Sequence, residues 1–203
     1  MAKPSVRDKI VDAALERFHT LGFSACSVQD IVDTAGVPKG SFYNYFKAKE
    51  LLALEVLSIY GQDSNREILD DPSLPPLERL RAHFEYMAAY YAEFGYEKGC
   101  LIGNLAAEMT DNTPLLRQAI KQSLEKWTGA VTATLREGQA DGSVIATLDA
   151  EKVARFLINS WEGAVVRMKI ACCRQPLDDF FAVALPLLNR SPGGQPASPD
   201  TTV

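Results

Sequence analysis

The residues whose types and spacing could do chemistry are concentrated in one short run, Pro38-Lys39-Gly40-Ser41-Phe42-Tyr43-Asn44-Tyr45-Phe46. Phe42 and Phe46 stand four apart, the spacing of one helix face, so both can turn toward a core. Lys39, Gly40, Ser41, Tyr43 and Asn44 are then left facing outward. A helix N-terminus, a lysine and several hydroxyls on one face suit contact with phosphate oxygens and base edges. Gly40 lets a backbone come close to such a ligand. As mere scaffold the run is poor, because Gly, Ser and Asn are weak helix formers.

A second run invites a different chemistry. In Lys98-Gly99-Cys100-Leu101-Ile102-Gly103-Asn104-Leu105-Ala106-Ala107-Glu108 the soft nucleophile is Cys100. A helix expected over 99–110 puts Cys100 in its first turn, just after Lys98. A helix N-terminus and a nearby cation both lower a thiol's pKa and favour the thiolate. Gly95, Gly99, Gly103 and Ala107 recur every four residues and read as a groove of small side chains. A half-buried packing thiol is the competing reading of Cys100.

Elsewhere the chemistry thins out. Cys26 reads as a small buried hydrophobe, and the adjacent Cys172 and Cys173 are poorly placed for an intrachain disulfide. His19 and His83 have no neighbouring nucleophile motif. With no phosphate loop, paired-carboxylate motif or zinc spacing, no metal or cofactor is expected and an all-α enzyme is disfavoured.

These runs need elements to position them, and the pattern is helical nearly throughout. Val6, Ile10, Ala13, Ala14, Phe18 and Leu21 form one apolar stripe, stopped by Gly22. Ser27 with Asp30 looks like a capping box opening a second helix, which Gly36 ends. Pro38 suits the first position of a third helix. Further helices are expected over 47–69, 76–93, 99–110, 113–138, 149–172 and 176–189, while 191–203, rich in Pro, Gly, Ser and Thr, reads as a disordered tail. The fold class is therefore all-α, about nine helices: a three-helix helix-turn-helix domain over 1–50 and a larger helical domain over 51–190.

Composition limits the partners. The 203 residues are 47% hydrophobic and 23% charged, with 21 basic against 26 acidic side chains, a net charge of −5. That balance belongs to a folded soluble protein and argues against a general polyanion binder. The charge is uneven. Residues 1–50 hold seven basic and six acidic side chains, and Gly36 to Lys49 has three lysines and no acid. No apolar run reaches the roughly 18–20 residues needed to cross a bilayer, and a cytoplasmic location without a membrane partner is expected. One head offers only Lys39, Lys47 and Lys49 to phosphates, too few for tight binding alone, whereas a homodimer would read two half-sites. Apolar residues on more than one face of the last two helices point to a dimer contact through about 149–189.

Gly22-Phe23 through Ser27-Val28-Gln29-Asp30-Ile31, then Ala35 to Phe46 and Lys49-Glu50-Leu51-Leu52, resemble the DNA-binding domain of TetR-family transcriptional regulators. The resemblance covers about 45 residues, with Tyr45 and Ala48 as modest departures. It implies a double-stranded DNA operator, contacted by Ser27, Lys39, Gly40, Ser41, Tyr43, Asn44 and Lys49. Ser27 would cap the second helix and touch phosphate, and Lys49 would pair with one. It also implies a small-molecule effector held in the helical body, with Cys100, Asn104, Tyr86, Tyr90, Trp127 and Trp161 as its contacts. His83, Glu108 and Arg167 are further polar candidates. The stretch around Cys100 resembles the N-ethylmaleimide-reductase repressor subgroup, in which a cysteine senses electrophiles. A repressor released from a near-palindromic operator, by a ligand or by Cys100 modification, is the function implied. A DNA-binding architectural protein with no effector is the alternative.

Overall fold

The computed structural model describes residues 4–62, 65–109 and 113–189. Its regular elements are nine α-helices and two 3-10 turns, with no strand among the described residues. Helix α1 (Val6–Ala25) opens on reciprocal caps: Ser5 Oγ accepts from Asp8 N, and the Asp8 carboxylate accepts from Ser5 N. Ile10, Ala13, Ala14 and Phe18 of the expected stripe are buried, whereas Val6 and Leu21 at its ends are exposed. Gly22 interrupts α1 as its position implied. Its backbone sits at φ 77, ψ 176, and one more turn carries the helix to Ala25.

Helix α2 (Val28–Ala35) repeats the capping box with Ser27 and Asp30, and closes at Gly36 in the left-handed conformation, φ 65. Helix α3 (Lys39–Tyr45) starts one residue later than expected, with Pro38 as its cap. Helix α4 (Lys49–Gln62) is shorter than the expected 47–69. The apolar pattern resumes in a 3-10 turn over Arg66–Asp70, where Arg66 folds back to donate to the Gly61 carbonyl at 2.7 Å.

Helix α5 (Pro76–Glu93) has the expected bounds. Gly95 and Tyr96, both at positive φ, then turn the chain before the seven-residue α6 (Leu101–Ala107). Gly95 and Gly99 therefore lie outside the helix, and the four-residue groove of small side chains does not form. Helices α7 (Pro114–Asp141), α8 (Ala150–Ala171) and α9 (Gln175–Val183) follow, and Pro186 converts the end of the last expected helix into a 3-10 turn.

Helix α7 packs between α5 and α8, α9 lies on α8, and α1 packs on α2, α4 and α6. The body's centre is aromatic. Trp161 is fully buried, with ring centroids of Phe84 at 5.0 Å, Phe180 at 5.1 Å and Phe181 at 5.8 Å. A large apolar side chain buried to this degree contributes roughly 1.5–3 kcal/mol. The tail over 191–203 lies outside the described residues. No described helix is long and apolar enough to cross a membrane.

Candidate nucleic-acid interface and effector cavity

Helix α3 is anchored as its spacing requires. Phe42 and Phe46 are buried with ring centroids 5.8 Å apart, and the Arg7 guanidinium lies over the Phe46 ring. Lys39, Gly40, Tyr43 and Asn44 face outward, Ser41 is half-exposed, and Tyr43 keeps 56% of its surface. Tyr45 and Lys47 extend the same exposed region. A Cβ added to Gly40 would meet no atom within 4 Å, and its φ is not positive. Gly40 stands in the first turn of α3, and no described neighbour requires a glycine there. The free space lies on the outward side of α3.

Two residues expected at phosphates have partners inside the head. Ser27 caps α2 as expected, but its hydroxyl donates to Asp30 Oδ2 at 2.6 Å and its N–H to the same oxygen at 2.8 Å. Both donors are thus committed inside the head, and this pairing holds the Asp30 carboxyl below its ordinary pKa. Lys49 turns inward. Its Nζ donates to Phe23 O at 2.6 Å and Cys26 O at 2.5 Å, with the ammonium 4.3 Å from the Phe23 ring centroid. Its charge serves the bend between α1 and α2, and burial lowers its pKa.

A narrow cavity of about 70 Å³ is lined by Leu15 of α1 and, from the body, by Tyr60, Arg66, Tyr86, Met87, Tyr90, Tyr91, Cys100, Ile102, Ser123 and Trp127. Four expected contacts, Tyr86, Tyr90, Cys100 and Trp127, therefore come together. Trp161 does not join them, because it fills the aromatic core behind the cavity. Asn104 lines a separate outer cleft between α1, α6 and α8. His83 stands behind Trp127 and accepts from its indole Nε1–H at 2.8 Å; burial lowers the imidazole pKa to about 4, so it is neutral. Arg167 is exposed on the α8 surface beside α9. Glu108 sits at the far end of α6, where its carboxylate accepts from Phe23 N at 3.1 Å and Ser24 N at 2.7 Å.

The thiol of Cys100 also differs from the expectation. Cys100 caps α6 from just outside it and is buried, and that burial, with the adjacent Glu162 carboxyl, pushes its pKa up. The resting group is a protonated thiol. Lys98, expected to lower its pKa, instead lies over the Phe94 ring, 3.9 Å from the centroid. Tyr60, Tyr91 and Cys100 line the cavity, and Cys100 and Glu162 line the outer cleft; burial raises the Tyr and Glu162 pKa values. Arg66 and Ser123 were missed as contacts, Arg66 because the helical pattern ran unbroken through its turn. Glu162 had a signal, an acid between Trp161 and Gly163 on a helix with mostly apolar neighbours. Cys26 is a buried thiol, as its small-hydrophobe reading requires.

A helix-turn-helix with an outward polar third helix, joined to an all-helical body around a small cavity, is the build of a DNA-binding transcriptional regulator. The comparisons agree and name the family. Residues 10–56 match the family "Bacterial regulatory proteins, tetR family", and residues 76–184 match "Tetracyclin repressor-like, C-terminal domain". The chain belongs to the TetR family. It is 39% identical over 191 residues to the HTH-type transcriptional repressor DhaR of Mycobacterium sp. (strain GP1), covering 93% of this chain and 94% of that one. It is 27% identical to the HTH-type transcriptional repressor NemR of Escherichia coli (strain K12), covering 79% and 82%. A solved structure of regulatory protein TetR from Rhodobacter sphaeroides superimposes with a TM-score of 0.84 at 33% identity, covering 90% of this chain and 98% of that one.

Proposed function

We propose that the protein is a repressor that binds a near-palindromic operator as a homodimer and leaves it when a compact small molecule enters the cavity. The observation that carries this is α3: two buried phenylalanines fix it, Lys39, Gly40, Tyr43 and Asn44 stand outward with Ser41 half-exposed beside them, and no described residue fills the space at Gly40. In this reading Lys39 meets phosphate, Ser41, Tyr43 and Asn44 meet the groove, and Gly40 admits the backbone. The domains divide near residue 50, and the cytoplasm suits such a regulator.

The dimer surface is the outer stripe of α8 and α9. Phe156, Val166 and Ile170, the last 81% exposed, share it with Val183 and Leu187. A Cβ added to Gly163, which lies between them, would meet no atom within 4 Å, and that leaves room for a second backbone. Leu157, Trp161, Val165, Met168, Leu177, Phe180 and Phe181, also expected to supply apolar surface, are buried in their own chain's core.

The effector is small. Tyrosine hydroxyls, the Arg66 guanidinium and Ser123 among apolar walls suit a molecule with one polar end. A hundredfold loss of DNA affinity needs about 2.7 kcal/mol of preference for the released state. The cavity favours this over an architectural protein with no effector. The protonated Cys100 favours occupancy of the cavity over modification of a resting thiolate. Iodoacetamide labelling of Cys100 should then be slow at pH 7 and still rising at pH 9, and fast labelling at pH 7 would restore the thiolate.

The test is selection of duplexes from a random pool by the full chain, with light scattering of the free protein. Enrichment of a near-palindrome by a dimer is expected, with affinity falling steeply as salt rises. A monomer at micromolar concentration, or no enriched sequence at low salt, would overturn the reading.

A further inference from the structure

The outer cleft between α1, α6 and α8 holds polar groups for which neither the reading head nor the narrow cavity has a use. Its volume is about 880 Å³, within the range of sites that take drug-sized molecules. His19 of α1 lines it and is only 6% exposed, yet neither Nδ1 nor Nε2 has a hydrogen-bond partner among the described residues. Its ring packs against Tyr60, centroids 5.6 Å apart, in the wall between the cleft and the cavity. Glu162 of α8 lines the cleft as well, and its Oε1 is likewise buried and without a described partner. Buried polar groups in folded proteins are nearly always bonded, and leaving one unbonded costs stability. Two such groups on the wall of one cleft point to a molecule that bonds them.

The chemistry of that molecule follows from the wall. Burial holds the His19 imidazole neutral, helped by the ammonium groups of Lys98 and Lys169, so the charges that bear on it are positive. Lys169 is itself part of the cleft wall, its Cδ 3.5 Å from the place of a Cβ on Gly99, with Asn104 Oδ1 at the same distance. Burial raises the Glu162 pKa toward the uncharged acid, which can donate. An ammonium, an amide, an imidazole N–H and a carboxylic acid can all donate to one carboxylate, and bonds to an ionised acceptor are the stronger kind. Phe18, Ile158, Val165 and Val166 add apolar wall. Donors together with hydrocarbon suit an acid that carries an apolar tail.

We propose that the outer cleft is a second ligand site, one that takes a carboxylate with an apolar tail: the carboxylate meets Lys169, His19 and Glu162, and the tail lies along α8. The site differs from the narrow cavity in place and in ligand, and it does not depend on the regulator reading. Gly163, Val166 and Ile170 belong both to the cleft and to the stripe proposed as the dimer surface, so a partner protomer would close that edge.

The experiment is calorimetric titration of the full chain with octanoate, 1-octanol and octylammonium. Octanoate should bind with saturation, and the alcohol and the amine about tenfold more weakly. Lys169→Met, at an exposed position, should weaken octanoate binding about fivefold and leave the unfolding midpoint in place. His19→Leu should weaken it to a similar degree. Octanoic acid carrying a terminal diazirine should, on illumination, label the peptide over 158–170. Labelling confined to residues 86–91 would put the acid in the narrow cavity and overturn the proposal. So would equal affinity for octanoate and 1-octanol, or wild-type affinity in both variants. No saturable binding, the result expected if a partner protomer fills the cleft, would overturn it too. None of these readouts involves DNA: a chain that binds octanoate in the cleft but selects no duplex loses the regulator reading and keeps the site.

Discussion

Helices α3 and α6 are both seven residues long, too short to persist alone, and the protein uses them in opposite ways. Helix α3 is pinned on one side by Phe42 and Phe46 and leaves the rest of its surface unclaimed. Helix α6 is fixed at both ends, by the burial of Cys100 between the cavity and the outer cleft and by the bonds of Glu108 to the bend of α1. Their glycines make the contrast concrete. Gly40 in α3 has open space around it, whereas a Cβ on Gly103 in α6 would collide with Glu162 Oε2. In one helix the missing side chain leaves room for another molecule, and in the other for the protein's own carboxylate. The first arrangement suits recognition and the second transmission.

The largest effect should come from breaking the transmission side. Gly22→Ala combines a left-handed backbone with a collision against Glu108, and a loss of about 3 kcal/mol in urea unfolding is expected. Gly36→Ala is the control: its φ is also positive, but no atom lies within 4 Å of the added carbon, so about 1 kcal/mol is expected. Equal losses would mean that the Glu108 contact adds nothing.

Acid should weaken the fold next. His19 and His83 are held by burial to pKa values of about 4 and are neutral in the folded chain. Unfolded, they titrate near 6.5, so between those values the unfolded chain binds protons that the folded chain does not. Their contribution is full above pH 6.5 and is lost as pH falls toward 4, roughly 2 kcal/mol per histidine by pH 4.5. His19→Leu should flatten its share of the slope, and an unchanged pH profile would contradict this assignment.

On the recognition side the effects should be smaller and confined to DNA. Tyr43→Ala is expected to weaken operator binding about tenfold, or about 1.4 kcal/mol, with unfolding unchanged. Lys39→Ala should weaken all sequences alike and reduce the salt dependence by about one phosphate contact per protomer. A variant of either residue that altered unfolding but not binding would reverse the roles given to α3 and α6.

The two sides also differed in how much the sequence disclosed. The head was legible because its determinants are local. Ser27 and Asp30 are three residues apart, Phe42 and Phe46 four, and Gly36 marks its own turn. In the body, the contacts that matter join distant residues: Glu108 with Phe23 and Ser24, Cys100 with Glu162, Leu116 with Glu50. Periodicity says which face is apolar but not which neighbour it meets, so Trp161 read as a cavity wall and proved to be core. The same limit hid the partners of Lys49, whose charge suggested an outward phosphate contact and whose ammonium donates to the carbonyls of Phe23 and Cys26. Cys100 read as activated because the first turn of a helix and Lys98 were local signals, while burial and Glu162 were not.

Gly40→Ala tests the central claim most directly, because two readouts should move in opposite directions. Alanine suits a helix better than glycine by about 1 kcal/mol, and the position has room for it, so unfolding should shift to higher urea. The same methyl stands on the face assigned to DNA, so affinity for the selected duplex should fall at least tenfold. A more stable protein that binds the duplex as tightly as the wild type would contradict the assignment of α3 as the reading helix.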